Sequence, residues 1–124
     1  MIEILAVGCG GFLGAVCRFL LGKLFLLRLA PPLHTLIINA LGCLVMGIVV
    51  GCFGNNKTLL FTAVTVGFCG GFTTFSAFSL ETLSLMEKGA YVAAAGYVGA
   101  SVVLCVLGVW IGKTLDGFLG LCSD

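Results

Sequence analysis

Four apolar stretches, each close to the length a helix needs to cross a lipid bilayer, divide this 124-residue chain. A hydrocarbon core roughly 30 Å thick takes about 20 helical residues to traverse. Runs of that order occupy residues 4–21, 33–53, 59–86 and 89–112. The first is closed by Lys23 and Arg28 with Pro31-Pro32, and Gly54-Asn55-Asn56-Lys57 reads as a tight polar turn after the second. Glu87-Lys88-Gly89 separates the third from the fourth, and a short tail runs from Lys113 to Asp124. The pattern predicts an all-α integral membrane protein, a single four-helix transmembrane domain over residues 1–124.

Composition agrees with lipid as the outer solvent. Hydrophobic residues make up 60% of the chain and charged ones 9%, with a mean hydropathy of +1.26, too few charges to cover a water-facing globule. A net charge of +1, carried by scattered single residues, excludes nucleic acid as a partner. The short loops leave no room for a soluble domain. No nucleophile, base and orienting group can be assembled from the spans, so the chain is not read as an enzyme. The N-terminal run lacks a basic leader and carries Glu3 and Arg18, so it is expected to stay in the mature protein. The seven cysteines are odd in number and sit in apolar runs without a CxxC pair, and they are read as packed free thiols rather than metal ligands.

The basic residues carry little information about orientation. With the N-terminus on one side, Lys57 and Lys113 share that side, and Lys23, Arg28 and Lys88 lie opposite, with Arg18 leaning the same way. A chain so nearly balanced can insert in either sense. Four helices are also few to enclose a pathway, which makes an antiparallel homodimer the economical architecture.

Polar side chains inside spans need a partner or a water-filled space, and that makes them functional candidates. In the first span Gly10-Gly11-Phe12-Leu13-Gly14 leads to Arg18, whose guanidinium either snorkels outward or faces a polar vestibule that attracts anions. In the second, Thr35 and Asn39 are four apart and share a face, as helix glue or as contacts for a substrate. His34, just after the proline pair, sits where an imidazole costs little.

The third span is the densest. Gly70-Gly71 followed by Thr73-Thr74 weakens the helix in mid-membrane, because glycine is costly in a helix interior and threonine competes for backbone hydrogen bonds. Carbonyls freed by such a break need a partner, and a hard cation is one candidate. Phe75 and Phe78 follow on one face, interleaved with Ser76 and Ser79. Phenylalanines at that spacing usually belong to a core, yet their electropositive edges beside hydroxyl donors can also solvate a small anion. In the fourth span Tyr97, Ser101 and Cys105 recur every four residues as a mildly polar stripe.

Taken together, Gly10-Gly11-x-x-Gly14-Ala15-x-x-Arg18, Thr35-Leu36-x-x-Asn39-x-x-Gly42 and Gly67-Phe68-Cys69-Gly70-Gly71-x-Thr73-Thr74-Phe75-Ser76-x-Phe78 resemble the Fluc family of fluoride channels, the CrcB type. The resemblance covers nearly the whole chain. It implies a dual-topology antiparallel homodimer in the bacterial inner membrane, with two fluoride pores and a structural sodium ion held by the backbone carbonyls of Gly70 and Thr73. Phe75 and Phe78 match the family's fluoride-coordinating rings, Asn39 its pore asparagine and Arg18 its vestibule arginine. Thr74, Ser76 and Glu81 match a polar track, and Tyr97 and Ser101 match pore residues of the fourth helix. Ala77, Cys105 and His34 depart from the pattern, where a hydroxyl residue, a serine and a glycine are usual. The implied activity is passive fluoride export that lowers fluoride toxicity. The rival is a small multidrug-type, proton-coupled exporter, which needs a carboxylate buried in the first helix, where this chain has Arg18 and only a terminal Glu3.

Overall fold

The computed structural model describes residues 1–26, 29, 31–54, 56 and 58–119, with the backbone alone for 25, 26 and 116–119. Among these residues all the regular structure is helical, without strands. Arg28, Asn55, Lys57 and Cys122 lie outside the described residues, and with them part of the predicted loops and of the charge balance.

Helix α1 covers Ile2–Leu26 and α2 covers Leu33–Phe53. Helix α2 stops at Gly54, whose φ of 53° lies in the left-handed region that glycine enters without steric cost. The third apolar stretch opens at Thr58, whose hydroxyl accepts from the Phe61 N–H at 3.2 Å as an N-cap. It then runs as α3 (Leu59–Thr62), a π-helical segment (Ala63–Cys69) and the single turn α4 (Gly70–Phe72). Thr73 and Thr74 are extended, and α5 (Phe75–Glu87) follows. Gly89, with φ 72°, turns the chain into α6 (Tyr91–Leu119). Four stretches, Ile2–Leu24, Leu33–Phe53, Leu59–Glu87 and Tyr91–Leu115, are long and apolar enough to cross a membrane.

Two helix ends differ from the expectation. Lys23 stands in the last turn of α1 instead of in the loop, and Lys113 lies within α6 instead of opening a tail. A basic side chain near a helix C-terminus is favoured by the dipole and can carry its ammonium outward on an apolar stem. The Lys23 Nζ lies 4.8 Å from the centroid of the Phe19 ring one turn back. The cysteines also divide. Cys9, Cys17, Cys43, Cys69 and Cys105 are free, whereas Cys52 is disulfide-bonded, contrary to the reading of all seven as packed thiols. Cys52 lies next to the last residue of α2, at a span edge where the apolar-run argument is weakest.

Small residues set the packing. Helix α1 lies on the π segment, with Gly10 against the Ala63 carbonyl and Gly14 against the Phe68 carbonyl. Helix α2 pairs chiefly with α6, with Gly47 against the Val109 carbonyl and Gly112 against the Leu44 carbonyl. Backbones approach this closely only where no Cβ intervenes. The interior is small and partly polar: Thr35, Thr74, Tyr97 and Ser101 are buried together with Ile38 and Phe72. Large apolar side chains such as Phe12 and Trp110 face outward, the reverse of a water-soluble fold.

Candidate functional site

The site forms where α2 and α6 meet the Thr73–Thr74 link. At Thr74 the backbone turns away from helical geometry (φ −145°, ψ 110°), and its N–H and C=O are both taken by one side chain. The Thr74 N–H donates to Asn39 Oδ1 at 2.7 Å, and Asn39 Nδ2 donates to the Thr74 carbonyl at 3.1 Å. The Thr74 hydroxyl in turn caps α5, accepting from the Ala77 N–H at 3.2 Å, and lies 3.2 Å from Ser76 Oγ. In an unbroken helix the Thr74 N–H would bond the Gly70 carbonyl and the Ala77 N–H the Thr73 carbonyl. Both donors go to side chains here, which leaves the carbonyl oxygens of Gly70 and Thr73 without their helical partners. The Thr73 hydroxyl bends back to the Cys69 carbonyl at 2.9 Å.

Beside this link, a cleft of about 190 Å³ is lined by Asn39, Phe75, Phe78, Ser101, Val102 and Cys105. The Phe75 and Phe78 centroids lie 5.3 Å apart at an interplanar angle of 42°, and Phe78 stands at 5.3 Å and 45° to Tyr97. Neither pair stacks face to face, so ring edges as well as faces are available to a neighbour. Phe75 is 79% exposed in the single chain. Ser101 is 7% exposed, and its Oγ is buried without a hydrogen-bond partner among the described residues.

Farther along α5 the carboxylate of Glu81 is gripped from two helices. Thr35 Oγ1 donates to Oε1 and Tyr97 OH to Oε2, both at 2.7 Å. Thr35, noted in the sequence only as sharing a face with Asn39, is thus a partner of Glu81, 46 residues away. No local signal announces a contact of that range. Arg18 lies on α1, half-buried, with no ion-pair partner among the described residues, away from the Asn39–Phe78 cleft.

The family profile described as "CrcB-like protein, Camphor Resistance (CrcB)" matches residues 5–113. The chain belongs to the CrcB family. Relatives within it include proteins named "fluoride-specific ion channel FluC" from Nitrobacter winogradskyi, Rhizobium etli and Ruminiclostridium cellulolyticum. The first is 48% identical over 108 residues, 83% of this chain and 86% of the relative. The second is 42% identical over 121 residues, 93% of this chain and 96% of the relative. The third is 42% identical over 122 residues, 93% of this chain and 92% of the relative. Four spanning helices and these bacterial relatives make this CrcB chain a multi-pass protein of the bacterial inner membrane.

The positions at which this CrcB chain departs from the expected pattern fall in different settings. Cys105 lines the cleft with Asn39 and Ser101, and Ala77 supplies the N–H that Thr74 caps. His34 lies beside Glu81, with Nε2 3.9 Å from Oε1. Ala77 enters these contacts through its backbone N–H, whereas His34 brings to Glu81 an imidazole that a glycine would not.

Proposed function

We propose that the chain is a passive, fluoride-selective channel that lets fluoride leave the cytoplasm and so lowers its toxicity. The observation that carries this reading is the cleft that Asn39, Phe75, Phe78 and Ser101 line together, with the Ser101 hydroxyl buried and without a hydrogen-bond partner among the described residues. Fluoride is small and strongly hydrated, so a pore that accepts it must replace water with several donors at close range. The Ser101 hydroxyl, the Ser76 hydroxyl and the electropositive edges of Phe75 and Phe78 supply such donors without a fixed positive charge in the membrane. Asn39 shapes the cleft through its clamp on Thr74. The names of the relatives support fluoride as the ion.

Beyond the rings the path runs by Thr74, Ser76 and Glu81 toward Tyr97 and Thr35. Glu81 repels an anion, while its two hydroxyl partners can swing toward one. Fluoride therefore competes with the carboxylate for donors and is not held long, as conduction requires. Arg18 raises the local concentration of anions at the vestibule.

The active unit in this reading is an antiparallel homodimer with two pores. The 79% exposure of Phe75 and the near-balance of basic residues support it. The carbonyls of Gly70 and Thr73, freed of helical partners, suit a hard cation, and two copies facing each other double the set of oxygens. A sodium ion there would neutralise those carbonyl dipoles and tie the two links together. A proton-coupled exporter of organic cations is not favoured, since the charge embedded in the α1 span is Arg18 and the helix carries a carboxylate only in its first turn, at Glu3. The test is efflux from liposomes containing purified protein, read with a fluoride electrode and compared with chloride. Fluoride efflux well above chloride is expected; equal rates, or none from folded protein, overturn the reading.

A further inference from the structure

His34 opens α2 one residue before Thr35, and its side chain is 16% exposed against 17% for Glu81. Its Nε2 lies 3.9 Å from Glu81 Oε1, the same oxygen that takes the Thr35 hydroxyl at 2.7 Å. That separation is too long for a hydrogen bond and short enough for direct attraction between charges. The other ring nitrogen, Nδ1, is buried without a hydrogen-bond partner among the described residues, and Glu81 is the carboxylate that the imidazole faces there. Among the described residues, the other ionisable groups beside this carboxylate are Tyr97 from α6, bonded to Oε2, and Lys88 at the end of α5. Lys88 shares with Glu81 a cleft of about 310 Å³ that also takes in Pro31 and Pro32. Among the described residues α1, α3, the π segment and α4 bring no ion-pair partner to His34.

We infer that His34 is a positioning residue of the anion path, acting through Glu81. A neutral imidazole leaves the carboxylate charge intact and Thr35 locked to Oε1. An imidazolium gains a donor and a positive charge, closes on Oε1, offsets the carboxylate charge and competes with Thr35 for that oxygen. The Thr35 hydroxyl is then released toward the path and the barrier to an anion falls. Conductance therefore rises as the imidazole gains its proton. Imidazole is the side chain whose charge ordinarily changes between about pH 5 and pH 8. The inference rests on the channel reading above and deepens it.

Electrical recording in planar bilayers with symmetric fluoride tests it, because neutral hydrogen fluoride crossing the lipid carries no current. Wild-type current is expected to rise about threefold or more between about pH 8 and pH 5.5, a range that spans the ordinary imidazole transition. His34→Gln, polar but unable to charge, is expected to match wild type at the higher pH and stay flat; His34→Asn serves if the glutamine variant does not assemble. A parallel rise in wild type and variant, or a flat wild-type profile, overturns the role of His34. Absence of wild-type fluoride current at both pH values overturns the channel reading instead.

Discussion

Asn39 on α2 closes a ring of two hydrogen bonds with the backbone of Thr74, accepting from its N–H at 2.7 Å and donating to its carbonyl at 3.1 Å. The amide does for the extended link what a neighbouring strand would do in a sheet, and so fixes the direction in which α5 leaves. Removing it strands two backbone groups at membrane depth. Asn39→Ala is expected to lower stability by about 2–3 kcal/mol, from two lost bonds and the unsatisfied groups left behind. The loss is measurable by denaturation in detergent, with fluoride efflux falling in parallel. Asn39→Asp keeps one acceptor, loses the donor and should lie between the two.

Phe78 touches both Phe75 and Tyr97, with centroid separations of 5.3 Å in each case. Phe78→Ile keeps apolar bulk and removes the ring edge. Fluoride efflux is expected to drop by about tenfold or more, the equivalent of some 1.4 kcal/mol on the barrier. The protein's elution on size exclusion should be unchanged. Wild-type flux in this variant would show that the edge is not used.

Ser101 separates function from stability. Its buried hydroxyl has no hydrogen-bond partner among the described residues, so Ser101→Ala removes an unsatisfied polar atom and is expected to leave stability unchanged or raise it by up to about 1 kcal/mol. Slower fluoride efflux in a variant at least as stable as wild type would identify the hydroxyl as a donor to the ion. An unchanged rate would assign Ser101 to packing.

The carbonyls of Gly70 and Thr73, without their helical donors, make a prediction about cations. A ligand present at about 100 times its Kd adds about 2.7 kcal/mol to the bound state. Exchange of sodium for N-methylglucamine is therefore expected to lower the melting temperature of the purified protein and to slow efflux, and restored sodium should reverse both. Thermal melts across a sodium titration measure this; a flat titration would remove the cation from the proposal.

Close helix contacts should be the most fragile part of the fold. A Cβ placed on Gly14 would run into the Phe68 carbonyl, and one on Gly47 into the Val109 carbonyl. Backbone cannot move aside as a side-chain tip can. Gly14→Ala and Gly47→Ala are each expected to cost about 1–3 kcal/mol through overpacking, seen as lower yield and earlier unfolding. Gly22→Ala, with open space around it, should be neutral.

Hydropathy made the four helices legible, and for Leu33–Phe53 even the ends, because prolines and Gly54 bracket the run. Lys23 and Lys113 misled at helix ends, since a charge marks the membrane edge rather than the end of a helix. Within the site, the weak point at Thr73–Thr74 follows from local propensity. The grip of Asn39 on Thr74 and of Thr35 and Tyr97 on Glu81 does not, because each depends on how helices far apart in sequence come to lie. The π-helical stretch was equally silent: its β-branched residues and Gly67 weaken an α-helix without saying which winding replaces it.

That stretch, Ala63–Cys69, ties chain length to chemistry. A π turn accommodates a residue more than an α turn, so residues downstream are rotated and set back relative to a plain helix. Deleting one residue there would let the helix relax to ordinary winding with hardly a change in hydropathy. It would also carry Gly67 and Gly71 off the α1 backbone and swing Thr74 away from Asn39. The membrane would still see four good spans, and the clamp would have no hinge to hold. In this segment the number of residues is itself a functional constraint, to which substitution scans are blind and which single-residue deletions would expose.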